Sequence, residues 1–208
     1  WTQVESTPVL DGLFTVTHAG SWYFWIKDSN NNINEELSFL TCHSISRQLA
    51  DGITSITLKE NSIDIGDFAL SGTRAELDFT NDFHYEFTDD DGIFVNGEKR
   101  NKGDMIVIDS QKSVTSSISP KSYTINFDLC GRGDASKAQS QTVKYKQHIA
   151  RPTEQYSKGF VIGDWYLSYD SGYYSDKWDF ANDVLDERVL PLPEVTEITL
   201  YAEWDEAS

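Results

Sequence analysis

The side chains that could do chemistry in this chain are four histidines, two cysteines, many carboxylates and one dense group of aromatic rings. His18, His43, His84 and His148 stand in separate segments. None falls into H-x-H or H-E-x-x-H, the spacings that bring two imidazoles to one metal, and none is placed by local sequence for a triad. No G-x-S-x-G elbow and no Walker loop occurs. Carboxylates are plentiful enough to supply a glycosidase pair, but no spacing singles one out. The chain is therefore read as a non-enzyme, with no catalytic residue, metal or cofactor expected.

Cys42 and Cys130 are far apart and lack C-x-x-C spacing, which argues against a structural zinc site. Two free thiols or one long-range bridge both fit the sequence, with free thiols slightly preferred. Asp28-Ser29-Asn30-Asn31-Asn32 starts like a calcium loop, but Ile33 and Phe39 occupy the positions where an EF-hand needs Gly and a bidentate Glu. The acidic turn Thr88-Asp89-Asp90-Asp91-Gly92 is either a solvated turn or a weak site for a hard cation such as calcium, since a cation relieves repulsion among three carboxylates. Leu192-Pro193-Glu194-Val195-Thr196 fails as a sorting signal, which needs Thr fourth and Gly fifth. Arg132-Gly133-Asp134 lies in a Gly- and Ser-containing loop, where it reads either as an integrin-type ligand or as a plain turn.

The aromatic group is Trp165, Tyr166, Tyr169, Tyr173, Tyr174 and Trp178. Rings can stack on sugars or proteins at low entropy cost, and they can equally serve as core anchors in a small module. Trp165 and Trp204 are expected in the core. Tyr169, Tyr173, Tyr174 and Trp178, with Arg132, Gly133 and Asp134, are the candidate ligand contacts.

Strands must position these residues. Thr196–Trp204 alternates, with Ile198, Leu200, Ala202 and Trp204 on one face and Glu197, Thr199, Tyr201 and Glu203 on the other, which marks a half-buried strand. Tyr123–Leu129 alternates likewise and is expected beside it in one sheet, with Trp165 beneath. A return strand is expected over Thr142–Ile149. Upstream, alternation predicts strands through Thr54, Ile56 and Leu58, through Ala75, Leu77 and Phe79, and through Phe83, Tyr85 and Phe87. Asn96-Gly97 is a hairpin signal. Leu13–Thr17, Ser21–Lys27 and Leu37–Ile45 are candidate strands nearer the start. Aromatics make up 13% of the 208 residues, and flat rings favour a pleated surface. No apolar run is long enough to cross a bilayer as a helix. The net charge of −17 opposes binding to nucleic acid or anionic membranes. The chain begins at Trp1 without an initiator Met, so it is read as an excised or mature piece.

Three stretches resemble known modules. Gly20-Ser21-Trp22-Tyr23-Phe24-Trp25-Ile26-Lys27-Asp28 resembles the late strands of Ig-like modules in bacterial surface proteins, with residues 1–40 too short for a whole sandwich. Gly72-Thr73-Arg74-Ala75-Glu76-Leu77 onward resembles divergent bacterial surface repeats. Residues 120–208 resemble the internalin B-repeat, or Listeria–Bacteroides repeat. That resemblance rests on Thr124–Gly131, Val143-Lys144-Tyr145, Gly159-Phe160-Val161-Ile162, Trp165-Tyr166, Trp178-Asp179-Phe180 and the closing Ile198-Thr199-Leu200-Tyr201-Ala202-Glu203-Trp204. Cys130 replaces the family's Asn, Asp164 replaces the Gly before the Trp, and residues 185–192 look like an inserted loop.

The expected fold class is mainly β, in tandem small modules: 1–40 a partial Ig-like segment, 41–119 a β-rich repeat-like module, 120–208 the B-repeat-like module. The resemblance implies that the last is β-grasp-like, with a mixed sheet and little helix. It also implies a non-catalytic segment of a bacterial cell-surface, cell-wall or secreted protein, of Gram-positive type, acting in adhesion or as a stalk. Its partners would be a host or matrix protein, a glycan, or neighbouring modules of the parent chain. The competing class is a carbohydrate-binding accessory region of a secreted polysaccharide-acting enzyme.

Overall fold

The computed structural model describes residues 18–24, 38–153 and 156–207. Strands dominate, and the described residues hold a single 3-10 turn, Ala135–Lys137, in place of any longer helix. Contacts divide the chain into two units. The first comprises residues up to Asp82 with Phe87–Ile118, and the second comprises Phe83–Glu86 with the residues from Ser119 onward.

In the first unit, β1 (Gly20–Phe24), β2 (Ser38–Gln48), β3 (Ile53–Glu60), β4 (Ile63–Asp64), β5 (Phe68–Leu70) and β6 (Thr73–Asn81) come before the excursion into the second unit that contains β7 (Tyr85–Glu86). After it follow β8 (Gly92–Val95), β9 (Glu98–Arg100), β10 (Met105–Ile108) and β11 (Lys112–Ser117). One sheet runs β1-β2-β11-β8-β9, with β5 also paired to β2, and a four-stranded sheet runs β10-β6-β3-β4. The β2–β11 pair is parallel. The period-two pattern supplies the core: Leu58 and Leu77 face each other across β3 and β6, both fully buried.

Around them pack Ile45, Ile56, Ile93, Ile106, Ile108 and Val114, an aliphatic interior. Thr54 departs from the expected alternation. It is exposed while Ile53 is buried, because a register shift between Ile53 and Ser55 reverses the parity at the strand's start. Asn96 and Gly97 turn β8 into β9 with φ of 51° and 81°, the left-handed pair a tight hairpin requires. Of the strands expected near the start, Leu13–Thr17 lies outside the described residues, as does the end of Ser21–Lys27. Most of the Ig-like segment 1–40 is outside them too.

The second unit adds β12 (Ser119–Pro120), β13 (Ser122–Asp128), β14 (Gln141–Lys144), β15 (Tyr156–Ser157), β16 (Phe160–Asp170), β17 (Tyr173–Lys177) and β18 (Glu197–Glu206). Its main sheet runs β14-β13-β18-β16-β15, with β17 on β16. The β13–β18 pair is parallel and the others antiparallel, so the sheet is mixed. Trp165 lies on β16 opposite Ala202, with β18 between it and β13, and meets Phe127 edge-on at 5.3 Å. Its ring is 2% exposed. Burying about 150–250 Å² of indole is worth roughly 4–6 kcal/mol against an extended chain.

Several expectations are corrected here. Trp204 is half-buried rather than core, because it lies near the end of β18, where its indole Nε1 donates to the Leu129 carbonyl at 2.8 Å. Phe83–Phe87 forms no long strand. Only Tyr85–Glu86 is extended, it pairs with β12, and Phe87 is 38% exposed in the first unit. The reason is visible at His84, which is 1% exposed, stacks on Tyr145 at 4.1 Å with the planes 5° apart, and shares a 2.8 Å hydrogen bond between Nε2 and the Leu190 carbonyl. Packing of these rings overrides the alternation.

The strand expected over Thr142–Ile149 ends at Lys144, since Lys146 takes φ 65° and its N–H donates to the Leu185 carbonyl. The inserted loop 185–192 supplies core as well: Leu185 and Leu190 are fully buried and Val189 nearly so.

Candidate functional site

The tyrosines gather on three adjacent strands. Tyr166 and Tyr169 belong to β16, Tyr173 and Tyr174 to β17, and Tyr201 to β18. The β16–β17 hairpin closes through Ser171 and Gly172, both at positive φ (50° and 95°), so a two-residue turn sets Asp170 opposite Tyr173 and Tyr169 opposite Tyr174. On the other side, Tyr166 stands opposite Tyr201.

The rings form a continuous cluster: Tyr169–Tyr174 at 4.9 Å, Tyr166–Tyr174 at 5.2 Å and Tyr169–Tyr201 at 5.9 Å between centroids. Two hydroxyls are spent inside it. Tyr166 donates to Glu203 at 3.0 Å, and Tyr174 donates to the Ala202 carbonyl at 3.0 Å. Tyr169 and Tyr173 face solvent, 40% and 83% exposed.

Two of the phenols are held protonated, those of Tyr166 and Tyr174. Burial, then contact with the Cys130 thiol, pushes the Tyr174 phenol well above its ordinary range. The hydrogen bond to Glu203, then burial, raises Tyr166. Both cysteines are free thiols, and burial raises each of them. A phenol or thiol held protonated is a poor nucleophile or base. Cys130 takes φ 50° in the turn after β13, a left-handed position in which Asn is more at ease.

The other candidate residues are dispersed. Trp178 is not a surface contact: it is 2% exposed, its backbone N–H donates to the Trp165 carbonyl at 2.8 Å, and Arg188 covers the ring at 5.6 Å. Its place after β17 turns it inward beside Trp165, where both line a pocket of about 530 Å³ rimmed by Arg151, Asp164 and Lys177. Arg132 and Gly133 line an open groove of about 570 Å³ beside β13.

The Arg132 guanidinium lies 3.9 Å from the Phe160 ring centroid. Asp134 caps the 3-10 turn, accepting from the Ser136 amide at 3.0 Å and its hydroxyl at 2.7 Å, which holds its carboxyl below the usual range. Arg132 and Asp134 thus both have intramolecular work. In the acidic turn, Asp91 is buried and accepts from the Thr88 amide and hydroxyl at 3.2 and 2.8 Å. Among the described residues no three of His, Cys, Asp or Glu are grouped to hold a metal ion.

Tyr201 was not among the candidates, although alternation had already set it off the core face. Its neighbours across the sheet, Tyr166 and Tyr169, became visible only with the strand pairing.

Residues 123–203 match the family model of the Listeria-Bacteroides repeat domain. The matched span runs from β13 into β18 and includes the tyrosine cluster. Domains of this family are typical of bacterial surface proteins. The chain finds no match among curated proteins. No helix among the described residues is long and apolar enough to cross a membrane.

Proposed function

We propose that this chain is a non-catalytic segment of a bacterial cell-surface or secreted protein, acting in adhesion or in presenting its neighbouring modules. One observation carries the reading: the repeat-like unit gathers half-buried tyrosines on three strands of its sheet, with Tyr169 exposed among them and Tyr173 exposed at the hairpin end. The sealed interior formed by Trp165, Ile125, Leu185 and Leu200 gives that surface a rigid base. The neutral phenols and thiols favour contact over catalysis. The sheet order supports a β-grasp reading of residues 120–208, since the first and last main strands, β13 and β18, run parallel at the centre and β14 and β16 flank them.

The test is to screen the full 208-residue chain against immobilised glycans and matrix proteins. Capture that is lost when Tyr169 is changed to Leu supports adhesion through this face. Capture of nothing in either set leaves a spacer. Hydrolysis of a polysaccharide, abolished by one carboxylate substitution, would overturn the non-catalytic reading.

A further inference from the structure

We infer that the tyrosine face of β16, β17 and β18 receives a cationic, arginine- or lysine-rich segment of a partner protein. The inference rests on the contact role proposed above and names the chemistry of its ligand. Charge is the first argument. These three strands carry seven carboxylates and one lysine. Glu203 touches the Tyr166 hydroxyl, and Asp164 and Asp205 lie close enough to act on the same phenol. Asp128 stands opposite Tyr201 on the neighbouring strand, and Asp170 opposite Tyr173 at the hairpin end. The lysine, Lys177, is already paired with Asp164 at 2.7 Å.

The second argument is how the same unit treats its other rings. Arg132 lies over Phe160, Lys146 near Tyr85 and Tyr145, Arg151 near Phe180 and Arg188 over Trp178, all within 6.0 Å of the ring centroid. Tyr166, Tyr169, Tyr174 and Tyr201 form a connected group of rings, and among the described residues no cation stands over any of them. A ring face draws a cation through its quadrupole, and neighbouring carboxylates add to that attraction. The face therefore offers what a guanidinium or ammonium seeks, and among the described residues none is placed over it. A neutral sugar would use the rings but gain little from the carboxylate excess. A nucleic acid or anionic lipid would be repelled by it.

The experiment uses the full chain and a short arginine-rich peptide, with a citrulline-substituted peptide as a neutral control of the same shape. Binding of the arginine peptide, weaker in high salt and absent for the citrulline form, is expected. Tyr169→Leu with Tyr173→Ala should lower affinity about fivefold to thirtyfold, and Glu203→Gln about threefold. Leu at 169 keeps an apolar body against Tyr174 while removing the ring, so a fold defect is not the expected cause. Circular dichroism of the variants checks that.

Equal binding of the citrulline peptide would overturn the cationic claim. Unchanged affinity in the double tyrosine variant would overturn the placement. Capture of a neutral glycan through this face, with no peptide binding, would overturn the inference and leave the adhesion reading standing. Failure to bind any peptide, glycan or matrix protein would overturn both.

Discussion

The two units solve the same problem, a stable β core in about a hundred residues, with different side chains. The first packs Ile, Leu and Val between its sheets. Such side chains ask only to leave water, and they fill a pleated interior without any partner for a polar atom. The second builds on Trp165, Tyr145, Trp178 and His84, whose ring nitrogens and hydroxyl need partners inside the fold. Some are found: His84 meets the Leu190 carbonyl and Tyr145 donates to Glu187 at 2.6 Å. Aromatic packing also lets the second unit carry rings on its surface as well as in its core.

The largest effect that separates the two cores is expected at Trp165. Trp165→Ala should cost about 3–5 kcal/mol in a denaturant melt. Leu58→Ala in the first unit should cost about 2–4 kcal/mol, a purely apolar loss. Trp204→Ala should cost less than Trp165→Ala, about 1–3 kcal/mol, because the ring is half-buried and gives up one hydrogen bond. A Trp204 loss equal to that of Trp165 would place β18's final turn inside the core after all.

Acid should weaken the first unit through one ion-pair cluster. In the first unit Asp78 is bridged by Lys102 and Lys59, which pull its carboxyl from the ordinary 3.8 down to about 2. A depressed carboxylate pKa stabilises the fold above its unfolded value, and that contribution fades as pH falls through the folded one. Stability should therefore drop between about pH 4 and pH 2, and Asp78→Asn should flatten that part of the curve. Acid titration of the melting midpoint for both proteins reads this directly.

A smaller effect is expected at the irregularity in β16. A Cβ on Gly163 would lie 2.1 Å from an Asp205 carboxylate oxygen, so Gly163→Ala forces that side chain aside. A cost of about 1 kcal/mol, mostly removed by adding Asp205→Ala, is the expected cycle.

Much of the fold could be read from the chain itself. The period-two runs at Ile56–Leu58, Leu77–Phe79, Tyr123–Leu129 and Ile198–Trp204 became strands, and Asn96-Gly97 became a hairpin, because local pattern and tertiary packing agree there. Where they disagree, the pattern misled. Phe83–Phe87 alternates like a strand, yet burial of His84 against Tyr145 outweighs any ladder it could form. Residues 185–192 read as an inserted loop, yet Leu185 and Leu190 carry enough apolar area to be drawn into the interior.

The site was half legible. Tyr169, Tyr173 and Tyr174 are close in sequence and share a hairpin, so their grouping follows from local turns. Tyr201 joins them only through the β16–β18 pairing, which no local pattern encodes. Trp178 was misplaced because a ring beside a tyrosine-rich hairpin reads the same whether it turns in or out. Its direction is set by the backbone bond to Trp165.

The central claim is that the second unit's tyrosine cluster is surface for a ligand and is not needed to hold the sheet together. The direct measurement is a denaturant melt of the Tyr169→Leu, Tyr173→Ala protein. The account predicts a change within about 1 kcal/mol, typical of exposed side chains. A loss of about 3 kcal/mol or more, as for Trp165→Ala, would show that these rings are core.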